Sequence, residues 1–360
     1  MESFTSYEIN KENLLFNVNK VQRIIPRNCL LCSVVKADAY GLGMEAISGI
    51  IDKYVDYFAV ANINEAKTLR KCTQKKILIL SPIVLDNLDW CVKNNIELTV
   101  SSLSQAQYIV KNTSKKVKIH IKINTGLNRY GFSSVRELKQ ALIYLKNCEN
   151  VEIVGVFTHF ATKNECVEFI DKQFKKFKEV LKLCKLNNAI IHCASSYQTT
   201  NLTKYYCDMV RIGISLYGLT RNAKSLGFKP VLEIKSLITE IHDIKAGESV
   251  GYSRTFIAKK AMKIGVVPVG YADGFAGKLG NNFSVLVNDK WCKVVGKVGM
   301  DCFMVDLSNC GNVYVGSQVV LLGRAEQKTI TLQHYAKVLK ISEYEVLLSM
   351  KSKRMETIIV

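Results

Sequence analysis

Residues 33–43 read Ser-Val-Val-Lys-Ala-Asp-Ala-Tyr-Gly-Leu-Gly and continue an apolar run that starts at Cys29. The run predicts a buried strand, and the two glycines predict a loop that leads into a helix from about Met44. Lys36 therefore stands at the end of this predicted strand. Burial removes water from an ammonium group and favours its neutral form, which is a nucleophile toward carbonyl carbons. Most lysines at strand ends extend to solvent, so the position alone leaves both interpretations open.

Eight short apolar runs alternate with helical patterns through the first two thirds of the chain. The runs are Cys29 to Ala37, Tyr57 to Ala61, Lys76 to Leu80, Ile96 to Val100, Val117 to Ile123, Val151 to Phe157, Ala189 to Cys193 and Met209 to Ile214. The helical patterns include Glu65 to Cys72, Ser104 to Val110, Ser134 to Leu145 and Val167 to Lys185. Strands that alternate with crossover helices form a parallel sheet, and eight such units predict an N-terminal (β/α)8 barrel of the TIM type.

The pattern changes near Gly227. Short valine-rich segments separated by turns follow, and a helical pair closes the chain. The segments are Leu232 to His242, Gly265 to Val269, Phe283 to Val287, Cys292 to Val298, Phe303 to Leu307 and Gln318 to Leu322, and the helices are Thr331 to Leu339 and Ser342 to Leu348. Such spacing predicts a mostly β domain. We therefore predict a barrel domain over residues 1–226 and a mostly β C-terminal domain over residues 227–360.

The chain of 360 residues is strongly basic, with 50 lysines and arginines against 31 acidic residues and a net charge of +19. A charge of this size can attract nucleic acid. The lysines are spread through the helical patterns without a nucleic-acid-binding motif, so we expect no nucleic-acid partner. The sequence contains neither an apolar run of about 18 residues nor a signal peptide, which predicts a cytoplasmic protein without a membrane span.

The twelve cysteines are scattered, and several lie inside apolar runs. Cys29 and Cys32 form the one Cys-x-x-Cys pair, without a second pair at zinc spacing. An offset of three on a strand directs two side chains to opposite faces, which suits neither a redox pair nor a chelate. We expect reduced core thiols and no metal site.

Polar residues follow or occupy the carboxyl ends of several predicted strands, which is where the working residues of a (β/α)8 barrel lie. They are Lys36, Arg129, His159, the pair Ser195 and Ser196, and Arg211. Each has an ordinary alternative, because buried histidines and arginines are often only hydrogen-bonded and serines often cap helices. Together, beside the two last loops that commonly hold phosphate in this fold, they predict the mouth of a cofactor site.

The segment around Lys36 closely resembles the pyridoxal-phosphate signature of the alanine racemase family, and the resemblance extends over nearly the whole chain. It implies pyridoxal 5'-phosphate as the cofactor, carried covalently on Lys36. The implied contacts are Tyr40, Ser196 and the amides of Gly213 and Ile214 at the phosphate, Arg129 at the phenolic oxygen and the substrate carboxylate, His159 on the pyridine ring and Arg211 at the pyridine nitrogen. Lys122 is implied to be carbamylated and to brace Arg129.

Three segments of the C-terminal part also resemble family motifs. The segment Gly-Glu-Ser-Val-Gly-Tyr252 implies that Tyr252 is the second catalytic base and acts in the neighbouring subunit of a homodimer. Val-Gly-Tyr271 resembles the entrance motif, and Gly299-Met300-Asp301 resembles the turn whose methionine amide binds the substrate carboxylate. A tyrosine with a pKa of about 10 is a poor base at neutral pH. We therefore expect a hydrogen-bonded line from Tyr252 through His159 to Arg211.

Three positions depart from the family pattern. Ser195 stands where asparagine is usual, and Asn124 replaces an aspartate, which removes a charge near Lys122. Residues 350–355 lack the tyrosine that many members place against the phosphate. None of these departures touches the two implied bases.

The resemblance implies a homodimeric racemase that interconverts L-alanine and D-alanine and supplies D-alanine for peptidoglycan synthesis. It leaves open a racemase of broader or shifted specificity, toward serine or lysine, because a methylene or hydroxyl group is weakly discriminated. The alternative outside the enzymes is a protein that carries pyridoxal phosphate without catalysing a reaction. A carrier has no use for a second base from a partner, so Tyr252 favours the racemase.

Overall fold

The computed structural model describes residues 4–82, 87–162, 165–186, 188–352 and 354–360. Contacts between residues group the chain into two compact units. The barrel unit holds Asn17–Ala39 and Gly43–Leu216, and the C-terminal unit holds Met1–Phe16, Tyr40–Leu42 and Tyr217–Val360. The domain limits of 1–226 and 227–360 stay a prediction.

Parallel strands form the sheet of the barrel unit. They are β2 (Leu30–Val34), β3 (Tyr57–Val60), β4 (Lys76–Ile79), β5 (Ile96–Val100), β6 (Val117–Lys122), β7 (Val151–Phe157), β8 (Ile190–His192) and β9 (Met209–Ile212). Their order is β8-β7-β6-β5-β4-β3-β2-β9. Between β8 and β9, the amide of Asp208 donates to the Ile191 carbonyl and the amide of Arg211 donates to the Ala194 carbonyl, which nearly closes the ring. The predicted barrel is confirmed, and each predicted run contains one of these strands.

One helix precedes the first strand of the barrel unit, and the others connect its strands. The helices are α1 (Lys11–Ile24), α2 (Lys36–Tyr40), α3 (Met44–Ile51), α4 (Ile63–Arg70), α5 (Leu88–Lys93), α6 (Leu103–Asn112), α7 (Val135–Lys146), α8 (Val167–Cys184) and α9 (Ser196–Asn201). Several begin at a side chain that accepts a hydrogen bond from the first turn, as Asn62, Ser102 and Ser134 do. Within the described residues, the helices are too short or too polar to cross a lipid bilayer.

The interior of the barrel has an apolar side and a polar side. The apolar side is a cluster of Cys32, Val34, Tyr57, Ala59, Leu78 and Met209. The polar side includes Glu97 and Thr99 at alternate positions of β5, and His120 and Lys122 at alternate positions of β6, all of them buried. Alternate residues of a strand share a face, so each strand presents its polar pair on one side. Buried polar groups require partners, and the polar side is therefore organised by hydrogen bonds.

The C-terminal unit is mostly β, as predicted. Its strands are β1 (Ser6–Ile9), β10 (Leu232–Leu237), β11 (Glu240–Ile244), β12 (Ser249–Val250), β13 (Phe256–Ile257), β14 (Met262–Val267), β15 (Ser284–Val287), β16 (Lys290–Val295), β17 (Phe303–Asp306), β18 (Gln318–Arg324), β19 (Thr329–Ile330) and β20 (Glu356–Ile359). The main sheet runs β11-β14-β17-β16-β15-β18-β10-β1-β20, with β19 beside β18, and β12 pairs with β13. Two helices, α10 (Leu332–Leu339) and α11 (Glu343–Ser349), precede β20.

This unit differs from the prediction at several places, and the short strands β12, β13 and β19 lie outside every predicted segment. The segment Leu232 to His242 is two strands, because the amides of Ile238 and Thr239 turn to the carbonyls of Ser317 and Val266. The helical pair does not end the chain, because β20 follows and pairs parallel with β1, which pairs antiparallel with β10. All four residues of β20 are exposed. The strand therefore lacks the buried–exposed alternation by which a half-buried strand is predicted.

The cysteines agree with the prediction at one place and differ at another. Cys29 and Cys32 are buried and free, as predicted. Cys292, in β16, and Cys310 are joined by a disulfide, a pairing that the spacing of the cysteines did not indicate.

Candidate active site

Lys36 begins a left-handed turn directly after β2. Residues 37–39 of α2 have φ of 52°, 52° and 53° and ψ of 51°, 49° and 45°, and Tyr40 follows with φ of 60°. Each L-residue in a left-handed helix costs about 1–2 kcal/mol. The segment predicted as an open loop is therefore a strained turn, and strain of this kind is concentrated at functional sites.

Glu65, in α4, supports this turn. Its Oε1 atom accepts a hydrogen bond from the amide of Ala37 at 2.9 Å, and its Oε2 atom accepts one from the amide of Ala61 at 2.7 Å. The carboxylate thus links the ends of two neighbouring strands, β2 and β3. The sequence prediction missed Glu65, although Asn62 and Glu65 have the spacing of a capping box.

The amine of Lys36 is half-buried, and its environment favours the neutral form. Desolvation is the main cause that lowers the pKa of Lys36, and the positive charge of Arg129 lowers it further, while Glu65 opposes both. A lowered pKa raises the neutral, nucleophilic fraction at neutral pH. This is the form that reacts with an aldehyde.

Lys122 is buried in β6 among other cations. Its exposed fraction is 3%, and its Nζ atom donates to the carbonyl of Leu80 at 3.5 Å. Burial lowers the pKa of Lys122 to about 7, and the charges of Arg129, Arg211 and Lys36 act in the same direction. The amine is therefore about half neutral at pH 7.

Aromatic rings lie between these cations. The Nζ atom of Lys122 is 5.2 Å from the centre of the Tyr130 ring and 5.0 Å from that of Phe157. The guanidinium of Arg129 also approaches Tyr130, at 6.0 Å, and that of Arg211 approaches Phe157, at 5.3 Å. Ring faces attract cations, so Tyr130 and Phe157 stabilise a group of like charges that the sequence brings together.

Arg211, in β9, is buried with an exposed fraction of 4%. Its Nη1 atom donates to Nδ1 of His192 at 2.7 Å, and Nη2 donates to the carbonyls of Thr158 at 2.8 Å and Cys193 at 3.2 Å. Nη2 also lies 3.5 Å from Nδ1 of His159. Of the hydrogen-bonded line expected from Tyr252 through His159 to Arg211, the contact between His159 and Arg211 is thus present. The contact between Tyr252 and His159 stays a prediction.

His159 follows β7 and is kept neutral. Burial and the surrounding cations, Arg211 first among them, lower the pKa of His159 well below its usual value. A neutral imidazole can accept a hydrogen bond from Arg211 and can lie against a flat aromatic ring without adding charge.

The two serines after β8 have different partners. Ser195 is the N-cap of α9, and its hydroxyl donates to Oε1 of Gln198 at 2.7 Å, so the ordinary capping interpretation holds for this residue. The hydroxyl of Ser196 accepts a hydrogen bond from the amide of Gly213 at 3.0 Å. Ser196 and the Gly213–Ile214 segment are therefore adjacent, as the implied phosphate site requires.

The remaining implied site residues group with the C-terminal unit. Tyr252, Tyr271 and Met300 are exposed, with exposed fractions of 72%, 50% and 55%. The amide of Tyr271 donates to the Gly299 carbonyl at 3.0 Å, which joins the entrance segment to the methionine turn. Tyr40 packs its ring 5.8 Å from that of Tyr217, and burial raises its pKa, so its hydroxyl keeps its proton.

Two family models cover almost the whole chain. Residues 9–221 match the alanine racemase N-terminal domain, and residues 231–359 match the alanine racemase C-terminal domain. The chain belongs to the alanine racemase family. The members of this family are isomerases that act on amino acids, and this chain is an enzyme of that class.

Curated relatives and solved structures of the family agree with this assignment. The chain is 34% identical to alanine racemase 2 of Caldanaerobacter subterraneus subsp. tengcongensis, over 95% of this chain and 91% of the relative. The alanine racemase of E. faecalis superposes with a TM-score of 0.93 at 31% identity, covering 99% of this chain and 98% of the other. The alanine racemase of Bacillus anthracis, solved with bound L-Ala-P, superposes with a TM-score of 0.93 at 30% identity, covering 100% of this chain and 96% of the other.

Proposed function

We propose that this chain interconverts L-alanine and D-alanine with pyridoxal 5'-phosphate as its cofactor. The observation that carries the proposal is Lys36, a half-buried amine with a lowered pKa on a strained turn at the end of a barrel strand. Family membership supports alanine as the substrate, and so does the similar structure that contains L-Ala-P.

The side chains of the barrel unit fit an anionic cofactor with an aldehyde, a phenolic oxygen and a phosphate. Lys36, Lys122, Arg129 and Arg211 act electrostatically on one another. Among the described residues of this unit, only Glu97 is a buried carboxylate, and it bonds to His120 instead of to any of these cations. The cation group therefore favours an anionic ligand. When bound, the cofactor would supply the electron sink that makes the α-proton of an amino acid removable.

Two bases are needed because inversion requires a proton to leave one face of the α-carbon and another to arrive on the opposite face. We assign the amine of Lys36 to one face and the hydroxyl of Tyr252 to the other. Tyr252 is 72% exposed on its own chain, which supports a role toward a second copy. The proposed assembly is a homodimer whose subunits share their active sites.

Arg211 would keep the pyridine nitrogen unprotonated, because a guanidinium only donates hydrogen bonds. A weaker electron sink limits side reactions. His159 would pack against the pyridine ring of the cofactor. It would also connect the hydroxyl of Tyr252 to Arg211 through hydrogen bonds. Tyr40, Ser196 and the amides of Gly213 and Ile214 would hold the phosphate.

The substrate carboxylate would be held by Arg129 and the amide of Met300, with Tyr271 at the entrance. A carbamate on Lys122 would place a negative charge beside Arg129, which offsets the surplus of positive charge. In the same proposal the product D-alanine serves peptidoglycan synthesis, and the enzyme acts in the cytoplasm.

The test is chiral chromatography of purified protein with pyridoxal 5'-phosphate and, separately, L-alanine, L-serine or L-lysine. We expect alanine to approach an equal mixture of enantiomers, with the other two much slower. Fastest conversion of serine or lysine would establish a shifted specificity instead. Bound cofactor without any racemisation would indicate a carrier and would contradict the proposal.

Lys36 is tested in the same preparation. Borohydride reduction should fix the cofactor to the peptide that contains Lys36, and Lys36→Ala should abolish both the fixation and the racemisation. Lys118→Ala, which changes a lysine at the other end of β6, should leave both intact.

A further inference from the structure

A line of hydrogen bonds runs through the polar side of the barrel and ends at Arg211. Oε2 of Glu97 is 2.7 Å from Nε2 of His120, and Nδ1 of His120 is 2.9 Å from Nε2 of His192. Nδ1 of His192 accepts the 2.7 Å bond from Arg211. The exposed fractions of Glu97, His120 and His192 are 2%, 0% and 0%. Water therefore does not compete for these contacts.

The order of protons along the line follows from its two ends. A guanidinium has only donors, so Nδ1 of His192 must be an acceptor and its proton must lie on Nε2. That proton points to Nδ1 of His120, which must also accept. The proton of His120 then lies on Nε2 and points to the carboxylate of Glu97, which only accepts when ionised. Both histidines are neutral in this arrangement, and burial accordingly lowers the pKa of His192.

The line of hydrogen bonds also connects the positive charge of Arg211 to the negative charge of Glu97. The hydrogen-bond acceptors of Arg211 are neutral carbonyls and imidazoles. A buried cation is costly without a negative group, and the described part of the barrel unit contains one buried carboxylate, Glu97. Hydrogen bonds in a low-dielectric interior polarise one another, so the charge of Glu97 reaches the guanidinium through both imidazoles.

The backbone makes room for this arrangement. His120 lies opposite Gly155 in the β6–β7 pairing. A Cβ atom at position 155 would overlap the His120 ring, so glycine at this place permits the position of the imidazole. The ring of His192 is stacked on that of Phe157, with 4.7 Å between centres, which fixes its plane.

We propose that Glu97 is a positioning residue for Arg211, whose charge and orientation it stabilises through His120 and His192. The proposal rests on the proposed function only in taking Arg211 as the residue that meets the cofactor. Glu97 would touch neither substrate nor cofactor. A merely structural role would require a hydrogen-bond acceptor at position 97 and not a negative charge.

The first test needs no variant. The chain has five histidines, and ¹⁵N-histidine NMR of the full-length holoenzyme at pH 7 separates their tautomers. We expect His120 and His192 to be neutral, protonated at Nε2 and strongly hydrogen-bonded. His159, whose Nδ1 also faces Arg211, should share this tautomer with a weaker hydrogen bond. A proton on Nδ1 of His120 or His192, or a charged imidazole at either, would overturn the proposal whether or not the protein racemises alanine.

The second test compares Glu97→Gln with Tyr57→Phe. The first removes the charge and keeps the shape, and the second removes the other hydrogen bond to the same carboxylate, a 3.3 Å contact, and keeps the charge. Glu97→Gln should shift the Nε2 signals of both histidines, move the absorption maximum of the bound cofactor and lower kcat about 10-fold or more, with little change in KM.

Tyr57→Phe should leave the histidine signals, the absorption maximum and kcat close to those of the unchanged protein. Equal effects of the two variants would assign Glu97 a structural role and contradict the proposal. If Glu97→Gln does not fold, the tautomers of the unchanged protein decide alone. The unchanged protein could show the expected tautomers, and Glu97→Gln the expected shift of the histidine signals, while the unchanged protein does not racemise alanine. That result would support the hydrogen-bonded line and refute the proposed function.

Discussion

The Oε1 atom of Glu65 accepts a hydrogen bond from the backbone amide of Ala37 at 2.9 Å. Ala37 is the first residue after Lys36, and its φ of 52° places it in the left-handed region. A conformation of this kind persists only where neighbouring groups determine it. The position of the Lys36 amine therefore depends on a carboxylate from a different helix.

Removing this carboxylate should loosen the turn. We expect Glu65→Ala to lower the free energy of unfolding by about 2 kcal/mol, because two amides lose a charged acceptor. Denaturant titration measures the change. Glu179→Ala, at an exposed position of α8, is the matched control and should change stability by about 0.5 kcal/mol or less. Equal effects of the two variants would contradict the role of Glu65.

The same substitution should have opposite effects at two alanines. Ala37→Gly relieves a left-handed residue, and we expect the free energy of unfolding to rise by about 0.5 kcal/mol. Ala46→Gly lies in the right-handed helix α3 and should lower it by about 1 kcal/mol. Thermal and denaturant unfolding of both variants measure the sign of each change in the free energy of unfolding. A loss of stability in Ala37→Gly would refute strain at this position.

Lys122 should form a carbamate with dissolved carbon dioxide. Only the neutral amine reacts, and the pKa of Lys122 is about 7, so the carbamate should increase as pH rises from 6 to 8. A ¹³C NMR signal after addition of ¹³C-bicarbonate measures it. Lys122→Met should remove the signal, and Lys118→Met on the same strand should retain it. A signal that survives in Lys122→Met would place the modification elsewhere.

Tyr252→Phe should abolish one direction of proton transfer. General-base groups contribute about 10²- to 10⁴-fold, so we expect kcat to fall by that factor. Deuterium uptake from solvent should persist for the enantiomer whose proton faces Lys36 and be lost for the other. Tyr314→Phe, at a tyrosine of similar exposure in the same unit, should leave both exchanges unchanged. Equal exchange from both enantiomers in Tyr252→Phe would refute the two-base assignment.

The sequence predicted the barrel well because its strands are short apolar runs between long helical patterns, and each run contains an observed strand. It missed β20, whose pairing with β1 depends on a contact between distant parts of the chain and leaves no periodic pattern. The left-handed turn was not predicted because its alanines have no conformational signature of their own.

The site shows the same division. The sequence placed Lys36, Arg211 and Ser196 in the candidate site because of their positions at strand ends. Glu97, the proposed positioning residue, was missed because its partner His120 lies on the next strand. Alternation of polar residues on β5 and β6 was the available signal, since polar side chains at alternate positions of a buried strand share one face.

The pairing of β1 between β10 and β20 affects the order in which the chain can fold during synthesis. Ser6 precedes every strand of the barrel in the chain, yet its strand partners are Lys235 and Glu356. Every strand of the barrel lies between β1 and these partners in the chain, and is therefore synthesised before either of them. Strand β1 therefore stays unpaired until β10 has been made, and its sheet is completed only after residues 356–359 have been made.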